Sequence, residues 1–120
     1  MIIRLNKSDI QAAVERHATR NRELKKLIES KGIDPASSRL IDLHFWAFGE
    51  KAANDLADAL QNAGYLPVSK KASESDPAVW SVETQFEASP LSVSAPFFVE
   101  RMVRLAAESE GEFDGWGTSL

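Results

Sequence analysis

Ten consecutive residues, Arg39 to Phe48, alternate without interruption: Ile41, Leu43, Phe45 and Ala47 fall on one side, and Asp42, His44, Trp46 and Phe48 on the other. A period of two is that of a β-strand, and a strand with one wholly apolar side needs a second layer to cover it. The next residues supply that layer. Gly49 breaks the strand, and Glu50 to Ala63 places Ala53, Leu56, Ala57, Leu60 and Ala63 at helical spacing until Gly64 ends the helix.

The same two periods recur further on. Tyr65 to Lys71 reads as a short strand, with Pro67 favouring a sheet edge because it cannot donate to a ladder. The polar run Ser73 to Pro77 is a turn, and Val79 to Glu87 alternates again, which predicts a hairpin. Phe98, Met102, Leu105 and Ala106 mark a helix over about Ser94 to Ser109, with Pro96 in its first turn, and Glu112 to Leu120 closes the chain as a short strand or ordered loop.

Upstream, Ser8-Asp9 offers an N-cap, and Ile10, Ala13, Val14, His17, Leu24, Leu27 and Ile28 form one apolar stripe of a long helix that stops at Gly32. Asp34-Pro35 is the best internal boundary, because the residue before proline is pushed out of the helical region. The division expected is therefore 1–36, an amphipathic helix and linker, and 37–120, the main domain. The predicted class is α+β: a ferredoxin-like βαββαβ unit with a four-stranded antiparallel sheet and two helices on one face, plus the extra N-terminal helix.

Composition narrows the classes of function. No window approaches the roughly 18 apolar residues of a membrane span, and the start MIIRLNKSD resembles no signal peptide, so a cytoplasmic, non-membrane protein is expected. Cysteine is absent, which removes disulfides and thiolate chemistry. Charge is unevenly spread: residues 1–71 carry 12 basic and 9 acidic side chains, residues 72–120 only 2 against 9. An overall charge of −4 gives phosphates little to hold.

One short motif is more specific. Phe113-Asp114-Gly115-Trp116-Gly117-Thr118, following a helix that ends Leu105-Ala106-Ala107-Glu108 and then Gly111-Glu112, resembles the closing signature of the regulator of ribonuclease E activity B family. The strand His44-Phe45-Trp46-Ala47-Phe48, the helix Ala52 to Ala63 and Gly64-Tyr65 follow that family's order over about residues 39 to 118. The resemblance implies a ferredoxin-like fold, no catalysis and no cofactor. It also implies direct binding to ribonuclease E that restrains RNA cleavage, for which well-known members add a long acidic tail.

Two sets of residues are candidates for contacting a protein partner. Asp42, His44, Trp46 and Phe48 should lie on the sheet face away from the helices, joined by Glu83 and Gln85 if the third strand pairs beside the first. Asp114, Gly115, Trp116 and Gly117 combine a potential aromatic anchor with glycines that permit close approach, or else form a tight turn with the ring packed on the sheet. The open face could dock a protein, form a homodimer or be covered by the N-terminal helix.

Other chemistry finds little support. An RNA platform is the alternative, using Arg16, Arg20 and Lys26 of the basic helix, but Asp42 and Glu83 oppose phosphates and the basic-aromatic RNA motif is missing. His17 and His44 lack a second ligand at metal spacing, so no metal is expected. An enzymatic reading would rest on His44 and Asp42 alone.

Overall fold

The computed structural model describes residues 7–119, the side chains of Lys7 and Ser8 excepted. Helix α1 (Lys7–Ser30) precedes β1 (Arg39–Phe48), α2 (Glu50–Asn62), β2 (Val68–Ala72) and β3 (Val79–Ala88). A one-turn α3 (Pro90–Val93), α4 (Pro96–Glu108) and β4 (Gly111–Gly117) complete the order. The start of α1 lies at the limit of the described residues, and Ser8 is already helical rather than a cap.

The four strands form one sheet in the order β2-β3-β1-β4, every neighbouring pair antiparallel. This is the ferredoxin-like arrangement with an additional helix, as the two periodicities predicted, and β2 with its neighbouring Pro67 is indeed an edge strand. Ile41, Leu43, Phe45 and Ala47 are completely buried, and they meet Leu56 and Leu60 of α2 and Val99, Met102 and Ala106 of α4 in one core. Each large aliphatic side chain so removed from water contributes about 1.5 to 3 kcal/mol.

Helix α1 does not lie over the opposite face of the sheet. It packs against α4 and along the outer edge of β4, and Ile10, Ala13 and Ile28 enter the same core. The reason is that β4 is an edge strand with unpaired carbonyl groups, and α1 carries donors at the spacing to meet them. His17 Nε2 donates to the Phe113 carbonyl at 3.0 Å, and an Arg20 guanidinium nitrogen to the Trp116 carbonyl at 2.9 Å. The expectation of a lid over the sheet is corrected: α1 covers an edge, and the apolar stripe is spent there.

Register explains the closing motif. Phe113 pairs with Phe45, yet Gly115 pairs with His44 and Trp116 with Leu43, so Asp114 is the extra residue of a β-bulge. The bulge shifts the alternation by one, which puts both Phe113 and Trp116 on the covered face although they stand three residues apart. Gly115 has φ +126°, and a Cβ there would sit 2.5 Å from an Arg20 nitrogen. Only glycine accepts both that backbone conformation and the crossing arginine.

Trp116 is therefore a core residue, 2% exposed, with its indole N–H donating to Asn21 Oδ1 at 2.9 Å. Of the two readings open for this motif, the packed turn is the one observed, and the ring presents no surface to a partner. Gly115 is likewise buried, and Gly117 half-buried.

Candidate functional site

The face of the sheet turned away from the helices carries Asp42, His44, Trp46 and Phe48 from β1, with Glu83 and Gln85 opposite His44 and Asp42 on β3. No helix among the described residues packs over it. Phe48 is 53% exposed and Trp46 half-buried, so the face combines apolar surface with charge.

His44 is the centre of its polar network. Its Nδ1 lies 2.9 Å from Asp114 Oδ2 on β4, and its Nε2 lies 3.0 Å from Ser81 Oγ and 3.3 Å from Glu83 Oε1 on β3. The Trp46 indole meets the imidazole edge-on, ring centres 4.7 Å apart. One side chain on the central strand thus ties both neighbours together, and it seats the bulge by holding Asp114 on the open side. Such partly exposed pairs contribute about 0 to 1 kcal/mol each, so the network positions more than it stabilises.

The Asp114-His44-Ser81 sequence of contacts has the connectivity of a charge-oriented histidine beside a hydroxyl. Its surroundings oppose acyl chemistry. Ser81 lies mid-strand between β1 and β2, where backbone amides serve the ladders rather than a developing oxyanion, and the Glu83 carboxylate beside Nε2 would repel one. What the cluster can do is present carboxylates at fixed positions.

Beside it, Arg20 reaches across Gly115 so that its guanidinium, with Asp42, Glu83 and Asp114, lines a shallow depression of about 360 Å³. On the other side of β4, a groove of about 600 Å³ separates α1 from α4 and β4, with Arg16, His17 and Arg20 along one wall and Glu110, Glu112 and Asp114 along the other. Burial, aided by the charges of Arg20 and Arg16, holds the His17 imidazole below its ordinary pKa despite the opposing pull of the Phe113 carbonyl and Asp114. His17 also stacks on the Phe113 ring at 4.9 Å.

The two sets of candidate residues thus separate. Asp42, His44, Trp46, Phe48 and Asp114 share the open face, whereas Trp116 and Gly115 belong to the packing between β4 and α1. Sequence reasoning missed Ser81 as a partner of His44, and missed Asn21 and Arg20 as partners of the closing motif. Only the non-alternating spacing of Phe113 and Trp116 hinted at the bulge that brings these groups together. Among the described residues no group of three or more His, Asp or Glu converges as a metal site, and no helix is long and apolar enough to cross a membrane.

A ferredoxin-like domain with a clamped edge strand and an uncovered, aromatic-bearing sheet defines a class of small α+β domain with a face open for binding. The comparisons with known proteins narrow it. The family model described as regulator of ribonuclease activity B matches residues 18–118, and the chain belongs to that family. The match begins inside α1, earlier than the resemblance read from residue 39, in keeping with the contacts of Arg20 and Asn21 to β4. No curated protein matches the chain.

Proposed function

We propose that this protein is a non-catalytic, cytoplasmic regulator that binds a ribonuclease, ribonuclease E by the resemblance noted above, and restrains RNA cleavage by occupying one of its segments. The observation that carries the reading is the uncovered sheet face with Trp46 and Phe48, given that α1 has buried its own apolar stripe against β4 and α4. Family membership supports regulation of ribonuclease activity, and the face offers the means.

The mechanism is steric. A docked domain hides a scaffold or substrate-entry segment, and a central aromatic such as Trp46, ringed by polar groups, supplies most of the binding energy. The test is cleavage of a fluorescent RNA by purified ribonuclease E with increasing amounts of this protein. Wild type should slow cleavage, and Trp46→Ala should do so at least tenfold less well with an unchanged melt, a loss of about 1.4 kcal/mol or more in binding. Equal inhibition by both would remove the sheet face from the mechanism.

A further inference from the structure

We infer that the uncovered sheet face is a receptor for an extended, arginine-bearing polypeptide segment; this rests on the regulatory reading above and specifies its partner. The face projects five exposed carboxylates, Asp42, Glu83 and Glu87 from the two central strands and Glu112 and Asp114 from β4. The cations nearby are already engaged. Lys71 on β2 is directed to Glu74 of its own turn, at 4.0 Å, and Arg20 at the rim is held by the Trp116 carbonyl.

This balance selects the occupant. Phosphates would meet like charge, so the face disfavours nucleic acid, while a basic segment gains at each carboxylate. The aromatics refine the choice from basic to arginine. Glu112 stands directly opposite Trp46 in the β1–β4 ladder, where cross-strand neighbours lie about 4.5 to 5.5 Å apart. A guanidinium laid flat on the indole would reach that carboxylate with its fork, which an ammonium cannot do as well.

Spacing gives the segment its pattern. Trp46, His44 and Asp42 follow one another by two residues on one face of β1, a repeat of about 6.6 to 6.8 Å. An extended chain with arginine at every second residue has the same repeat. One arginine would then stack at Trp46 and the next would meet Asp114 and Glu83, which His44 holds in place from either side.

The probe is a ten-residue peptide alternating Arg and Ser, with Lys-Ser and Glu-Ser counterparts, titrated calorimetrically into the full chain at about 50 and 150 mM salt. The Arg peptide should bind, more weakly at the higher salt, as screening requires. The Lys peptide should bind at least threefold more weakly, and the Glu peptide not at all. Trp46→Ala and Glu112→Gln should each weaken the Arg peptide by about three- to tenfold, in the range expected for cation–π and partly exposed charge contacts. Glu100→Gln on α4 should leave it unaltered.

Equal affinity for the Arg and Lys peptides, or an affinity that Trp46→Ala leaves intact, overturns the inference. So does a dimer that Glu112→Gln dissociates in sedimentation, which would give the face to the basic helix of a second copy, or displacement of the peptide by single-stranded RNA. Inhibition of ribonuclease E that depends on Trp46, together with no peptide binding, refutes this inference alone. Loss of both refutes the regulatory reading as well.

Discussion

Replacing Trp116 with Ala removes the largest side chain shared by β4 and α1. The ring is 2% exposed, and truncating a buried Trp costs about 3 to 5 kcal/mol through lost burial and the cavity left behind. A second cost follows from Asn21. Its Oδ1 accepts the indole N–H, its Nδ2 has no partner, and the residue is only 4% exposed, so the variant leaves both amide atoms unpaired at a further cost of about 1 kcal/mol or more.

A loss of 4 to 5 kcal/mol is a large share of the roughly 5 to 15 kcal/mol that holds a domain folded. For a chain of 120 residues, each kcal/mol lowers the midpoint by about 4 °C, so thermal unfolding followed by circular dichroism should shift by on the order of 15 to 20 °C. Trp116→Phe isolates the polar part: it should cost about 1 to 3 kcal/mol, and adding Asn21→Leu should recover much of it, since replacing both partners by apolar groups is far cheaper than orphaning one. A Trp116→Ala protein melting within a few degrees of wild type would refute the placement of this ring in the core.

Four further outcomes are expected. Trp46→Ala, on the open face, should change stability by less than about 1 kcal/mol, measured by urea denaturation, in contrast to Trp116. Gly115→Ala should destabilise by about 1 to 3 kcal/mol, because φ +126° is strained for any other residue and Cβ would strike Arg20; the double variant with Arg20→Ala should relieve the collision but not the backbone strain. Because the folded state holds the His17 pKa below the unfolded value of 6.5, stability from the neutral imidazole is complete above that pH and is lost as pH falls through the folded pKa; His17→Gln should flatten the wild-type decline below pH 6.5 in denaturation midpoints taken across that window. Single-stranded RNA at about 50 mM salt should not bind, as judged by fluorescence anisotropy, and a clear salt-dependent affinity would favour the nucleic-acid reading instead.

The sequence by itself determined the elements and the class. Arg39–Phe48 and Glu50–Asn62 announce strand and helix by period alone, the hairpin from Val68 to Ala88 by its turn, and the sheet face of Asp42, His44, Trp46 and Phe48 by simple alternation. These are local properties, written in neighbouring residues. What only the tertiary structure decided are the contacts between residues some seventy to a hundred positions apart: His17, Arg20 and Asn21 against β4, and His44 against Asp114. A single extra residue in β4 reversed the facing of everything after it, turning Trp116 inward and Asp114 outward, and the unpaired edge it belongs to drew α1 away from the sheet face. Alternation cannot foresee a bulge, because the bulge is settled by the register against a partner strand, and with it was settled which tryptophan holds the fold together and which remains free to meet another chain.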